Sequence, residues 1–516
     1  MSAVLSTLQS GASALLRRIL ELPRAGAVAG ALVALFVSRT LRAWYRLSHV
    51  PGPLWCGFSK YWMVRQSLKG RQPYAIQEVI EEYGSLARIG PNELVTDDPE
   101  LLRRMMAVRS EYSRGPWYNA LRFEPGKDNL FSMRDEVAHT KLRSKMAPGY
   151  SGKENESMNG TIDAHIAHLI HLFESKYLST PDTFRPVDFA EKIQFFTLDV
   201  ISDLAFGQPF GYIEQDDDVF DFLKITRAFF PVTLVIANIP SLVSLLHSWL
   251  FRGALPKESD KFGFGAFIGV ANKKVAERFE PGAVSRPDML GSFIRHGLNQ
   301  EEASRESLLN VIAGADTTAT VIRVVMLHLL SNPSVYLKLR TEIDEAIKDG
   351  RVSSPITDPE ARQLPYLQAV IKEGLRIKAP AAGPLFKTVP PGGDVIDGKF
   401  IPGGTDIGTS PFSIYHSKKI FGEDASMFVP ERWFAETDPA RLAYMNSTVD
   451  LVFSSGKYLC LGKPVALMEL NKIFVELLRR FDFAMARPER PLSVINAGIW
   501  LIEDFPVRIT KRADAL

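Results

Sequence analysis

The hydrophobic pattern changes period several times along the chain, and each change marks an element. Ala25 to Ser38 is a run of 14 residues without a charge, bracketed by Arg24 and Arg39. Tyr74 to Tyr83 carries apolar positions at helical spacing. Leu86 to Val95 reads as a short hairpin that turns at Gly90-Pro91-Asn92. From there to about Val395 helical periods dominate, and Leu308 to Asn332 is the longest apolar helix pattern. A second strand-rich stretch runs from about Leu385 to Ile407, broken by Pro390-Pro391-Gly392-Gly393. Val465, Leu467, Met468, Ile473, Phe474, Leu477 and Leu478 then predict a helix that opens directly after Cys460. No internal repeat interrupts this order. The pattern predicts one mainly α domain with small β-sheets (α+β) over residues 51–516, preceded by an N-terminal segment, 1–50.

The N-terminal run changes the picture most. It is shorter than the roughly 20 residues a spanning helix wants, but snorkelling by Arg24, Arg39 and Arg42 extends it to workable length. Ser38-Arg39-Thr40-Leu41-Arg42 follows where a cleavage site would need small residues, so the expectation is an uncleaved single-pass anchor. Basic residues flank both sides (Arg17 and Arg18 before, Arg46 after), so charge does not set its orientation. The segment His49-Val50-Pro51-Gly52-Pro53 reads as a hinge between anchor and body. Across the 516 residues, 61 Lys and Arg face 59 Asp and Glu, a net charge of +2 that argues against nucleic acid as a partner. Of the two cysteines, Cys56 and Cys460, neither has a partner left if the second binds a metal, which fits a reducing compartment. Sequons at Asn155, Asn159 and Asn446 are read as unused.

Cys460 sits between Gly456 and Gly462, with Phe453 upstream and the helix immediately downstream. The unpaired N–H groups at a helix start favour thiolate over thiol. The glycines let the backbone turn tightly and approach something flat and bulky. A thiolate in a glycine-lined loop under an aromatic ring is what a haem iron takes as its axial ligand. Alone, a free cysteine is more often a buried, inert one.

The spacing F-x-x-G-x-x-x-C-x-G decides between the two readings: it resembles the haem-binding loop of the cytochrome P450 family. Three further motifs follow the family's order. His139 and Arg143 share a helix face; the resemblance implies that both address a haem propionate, whereas the bland reading is a solvated basic face with Lys141 and Lys145. Ala313-Gly314-Ala315-Asp316-Thr317-Thr318 sits inside the long apolar helix, where glycine costs about 0.5–1 kcal/mol relative to alanine. The resemblance implies that Thr317 and Asp316 relay protons toward dioxygen, with Gly314 leaving room for cofactor and ligand. The bland reading is a glycine kept for helix packing and Asp316 at a surface. Glu373 and Arg376 lie three apart on a helix, and Phe428-Val429-Pro430-Glu431-Arg432-Trp433 follows. The resemblance implies a buried triad of Glu373, Arg376 and Arg432 that holds the cysteine loop and does no chemistry.

Two positions depart from the family. Tyr458, beside Lys457, replaces the basic residue common two before the cysteine, and Lys387 stands where arginine is usual. Propionate contacts then fall to Tyr458, Lys457 or Lys387.

The resemblance spans about Pro51 to the C-terminus and is greatest to fungal members similar to pisatin demethylases. It implies a membrane-anchored haem-thiolate monooxygenase of secondary metabolism, with heme b on Cys460 and electrons from NADPH through a partner reductase. The implied location is the endoplasmic reticulum, catalytic domain toward the cytosol. The expected substrate is an apolar small molecule, since Phe229-Phe230, Ala381-Ala382 and Ile499-Trp500-Leu501 are apolar candidate pocket segments. The competing readings are a haem-thiolate isomerase or dehydratase, which needs no proton relay, and a non-catalytic haem-binding membrane protein.

Overall fold

The computed structural model describes residues 24–513, except positions 153, 156, 252, 254 and 262. Its first helix, Arg24–Arg46, runs past Arg39 and Arg42, so the apolar span is Gly26–Arg46, 21 residues with none of its most apolar window buried. At 1.5 Å per residue that is about 31 Å, the thickness of a bilayer's hydrocarbon. The uncharged run understates the span because a helix continues through isolated arginines. Arg17 and Arg18 lie outside the described residues.

The expected hinge is stitched to the body. Arg88 donates to the carbonyls of Trp44 and Ala43 at 3.0 Å each, taking up carbonyls that the helix end leaves unpaired. Its backbone N–H donates to Pro51 O at 2.8 Å, and Leu47 and Val50 are buried. Arg46 reaches across to Gly403 O at 2.9 Å.

The helix Gln300–Ser331 forms the centre of the core. It begins eight residues before its apolar pattern because Asn299 and Glu302 form a reciprocal capping box, and Glu306 and Ser307 are buried despite their polarity. Its length and hydropathy would suit a membrane, yet 72% of its most apolar window is buried by the rest of the fold. It is a core helix. Its main neighbour is the helix Phe189–Phe206. A Cβ on Gly314 would meet Ile201 of that helix at 2.7 Å, so the close packing of the two helices requires the glycine.

The hairpin Leu86–Arg88 and Glu93–Thr96 forms as expected. It extends into a five-stranded sheet through Asp406–Thr409, Lys387–Thr388 and Ser113–Arg114. In the outermost pair Arg114 lies directly opposite Lys387. Four further short strands between Phe481 and Lys511 have no counterpart in the expected pattern. One of them begins with Trp500, which is 1% exposed and donates to Ala379 O at 2.9 Å, so it belongs to the core.

Candidate active site

Cys460 is placed by two local features. Its N–H donates to Phe453 O at 2.8 Å, closing the loop, and the helix Lys463–Leu478 starts three residues past it with Gly462 as its cap. The Gly462 and Lys463 N–H groups point at the sulfur and pull its pKa down, as does Arg143, but burial outweighs them and holds the thiol above its ordinary value. The helix-start N–H groups favour thiolate as expected, but in the bare protein desolvation is the larger effect. Cys460 remains exposed even though the protein closes around it on most sides. Gly456 has φ +54°, and a Cβ there would overlap the Met106 carbonyl oxygen. The chain's own helix Pro99–Met106 thus requires a glycine there.

The central helix presents a matching stripe. Among its buried residues, Leu309, Ile312, Ala313, Gly314 and Thr317 remain partly or fully accessible, and they follow helical spacing along one face. Thr317 sits on this face with its hydroxyl donating to Ala313 O at 2.9 Å. Asp316 lies off it, buried against Gln194 and Arg323; burial pushes its carboxyl up to about 6, while Arg323 and Gln194 pull the other way. Its Oδ2 has no hydrogen-bond partner among the described residues.

Basic side chains converge beside Tyr458. His139 is 1% exposed, and burial with the charges of Arg114, Arg143, Lys387 and Lys457 pulls it down to about 3, so it is neutral. Its Nδ1 has no partner among the described residues. Arg143 is half-buried near Cys460, with no carboxylate in ion-pair distance among the described residues. Lys387 is 2% exposed and lies 3.1 Å above the Tyr458 ring; burial drives its pKa well down. Lys457, by contrast, is spent on the protein: it donates to Ser110 O and Tyr112 O at 2.9 and 3.0 Å and pairs with Glu136 at 3.2 Å. That makes it a fastener of the loop. Arg114, which the pattern gave no reason to select, is buried in the same cluster; only strand pairing brings it there.

The triad forms as the motifs implied. Both Glu373 oxygens accept from Arg376, at 2.7 and 2.9 Å, and Oε1 also accepts from Arg432 Nε at 2.9 Å and Val429 N–H at 2.9 Å. The remaining donors of Arg376 bind the carbonyls of Tyr415, Ala425 and Met427. The triad's direct bonds thus hold residues 415–429, which precede the cysteine loop, rather than the loop itself.

The family model of cytochrome P450 matches residues 49–504. The chain belongs to the cytochrome P450 family. It is 43% identical over 476 residues to "Cytochrome P450 monooxygenase ABA1" of Pyricularia oryzae, covering 90% of this chain and 93% of that one. It is 41% identical over 471 residues to the aba1 monooxygenase of Botryotinia fuckeliana, covering 90% and 92%. It is 38% identical over 457 residues to abl1 of Leptosphaeria maculans, covering 87% and 80%. This cytochrome P450 is a monooxygenase whose iron cofactor is haem on a cysteine thiolate and whose electrons come from a reductase. The donor set fits that cofactor: an accessible sulfur at a helix start, and beside it buried cations and an unpartnered imidazole nitrogen suited to a dianion's carboxylates.

Proposed function

We propose that this P450 is a membrane-anchored enzyme of secondary metabolism that inserts one oxygen atom of O2 into a C–H or C=C bond of an apolar small molecule. The second oxygen leaves as water, with two electrons from NADPH through the reductase and two protons closing the balance. Haem, held by Cys460, supplies the redox chemistry. His139, Arg143 and Lys387 hold its carboxylates. Leu309, Ile312 and Ala313 offer the substrate an apolar wall. Thr317 passes a proton across that wall, and Asp316 behind it resupplies the proton, since a carboxyl that titrates near neutrality exchanges readily in both directions. The exposed apolar side chains of the first helix, Leu32 and Phe36 among them, support the anchor, with the catalytic domain in the cytosol against the endoplasmic reticulum.

The observation that carries the reading is Thr317 on the accessible stripe of a buried helix, in a fold whose accessible cysteine lies just before the helix Lys463–Leu478. A carbon-monoxide difference spectrum of the reduced protein in membranes, beside Cys460→Ala, tests the ligand. A strongly red-shifted Soret band, lost in the variant, is expected. Product that forms with reductase present but without NADPH oxidation would move the enzyme to the isomerase or dehydratase class.

A further inference from the structure

Arg114 and Lys387 pose a problem that the fold has to solve. They lie directly opposite each other on paired strands, Ser113–Arg114 and Lys387–Thr388. Like charges in that position repel. Both are buried, at 5% and 2% exposure, where water cannot screen them. Among the described residues neither has a carboxylate within ion-pair distance. Arg114 Nη1 is committed to Leu130 O and Met133 O at 3.0 Å each, while its Nε has no partner among the described residues.

What both cations share is one aromatic ring. Lys387 Nζ lies 3.1 Å from the centroid of Tyr458, and Arg114 Cζ lies 4.6 Å from it. Tyr118 backs the pair, 5.6 Å from Lys387 and 5.4 Å from Arg114. The Tyr458 hydroxyl donates to Glu136, and a phenol hydrogen-bonded to a carboxylate keeps its ring electron-rich. The Glu136 carboxylate also pairs with Lys457, so its charge is divided, and its pull on Lys387 is smaller than the opposing burial and the repulsion from Arg114.

We infer that Tyr458 is a positioning residue that gathers Arg114 and Lys387 into a two-cation clamp for one carboxylate of the bound haem. Where most of the family places a basic residue two before the cysteine, this chain places an aromatic ring and draws its charge from the edge strand Ser113–Arg114 and its neighbour Lys387–Thr388. A third cation at 458 would have to share the space with two others. An aromatic ring attracts both. The clamp costs stability while empty and recovers it when an anion is seated, which is the behaviour of a site arranged for its ligand. The inference rests on haem binding at Cys460.

The test measures haem loss from purified holoprotein to excess apomyoglobin, together with the thermal midpoint of each variant. Tyr458→Phe keeps the ring, and its loss rate is expected within about threefold of wild type. Tyr458→Leu and Tyr458→Arg are each expected to lose haem at least about tenfold faster, the scale of a desolvated cation–π contact. Lys387→Met, which removes one cation without touching the cysteine loop, is expected to lose haem about tenfold faster while its haem-free form melts higher than wild type. It carries the test should Tyr458→Leu not accumulate. A Tyr458→Arg protein that retains haem as long as wild type, or an unchanged loss rate in Lys387→Met, would overturn the clamp alone. Wild-type protein with no red-shifted carbon-monoxide band would overturn the haem-thiolate assignment, and the clamp with it.

Discussion

Glu373→Gln isolates the cost of the buried triad. The carboxylate is fully buried, as is Arg376, and Arg432 is 7% exposed. Four hydrogen bonds end on it: two from Arg376, one from Arg432 and one from the Val429 N–H. The amide keeps the shape, removes the charge, and turns one acceptor into a donor that faces guanidinium or N–H donors. Hydrogen bonds to charged groups contribute about 1.5–3 kcal/mol each, so losing two or more costs at least about 3 kcal/mol. The cost of stranding a buried charge, about 3–5 kcal/mol, agrees. Asp424 remains 2.8 Å from Arg432, which limits the damage there, while Arg376 keeps only carbonyl partners. At about 2.1 cal/mol/K of unfolding entropy per residue, a chain near 500 residues changes its midpoint by about 1 °C per kcal/mol. The expected fall is therefore about 3–5 °C. The assay is a thermal ramp on haem-loaded protein, with tryptophan emission and Soret absorbance followed together. A midpoint within 1 °C of wild type (taking 1 °C as roughly 1 kcal/mol) would refute the reasoning, because it would mean that the charge on Glu373 contributes nothing to holding residues 415–429.

Thr317→Ala removes the only hydroxyl on the accessible stripe of the central helix and leaves the electron supply untouched. With reductase and substrate, product formed per NADPH should fall at least about tenfold, near the low end of what a positioned proton donor contributes, while NADPH oxidation continues; unchanged coupling would remove Thr317 from the relay. For Asp316, burial raises the carboxyl to about 6, so between the unfolded value and about 6 the native state holds more protons than the unfolded one. Stability then falls as pH rises through that window, by about 1.4 kcal/mol between pH 5 and pH 8. Asp316→Asn should lose that slope, read as the denaturation midpoint of each protein at the two pH values, and identical slopes would contradict the assignment.

What was legible in the sequence is what local spacing encodes. The cysteine loop, the helix after it, the hairpin at Gly90, and the pairing of Glu373 with Arg376 all follow from residues within about ten positions of one another. Arg432 was legible too, through its own motif. Other features depended on what the chain packs against. The glycine at 456 answers to a carbonyl at Met106, and that at 314 to Ile201 on another helix. No local rule reports a neighbour 350 residues away. The four strands after Phe481 pair mostly with each other and with Val187–Asp188, so their period is set by tertiary contacts rather than by alternation.

The same division runs through the active site. Residue types and order named the proposed ligand, Cys460, and the relay candidates, because a thiolate at a helix start and a threonine in an apolar helix are chemistry written in consecutive residues. Only the folded chain decided the electrostatics. Lys457, one of three candidate propionate contacts, is bound to carbonyls and Glu136; Arg114, which no motif selected, is buried opposite Lys387; the Cys460 thiol, with helix N–H groups pointing at it, is held up by burial. Charge and desolvation act through space with no regard for position along the chain, so the sequence names the groups, and the tertiary structure sets what each of them can do.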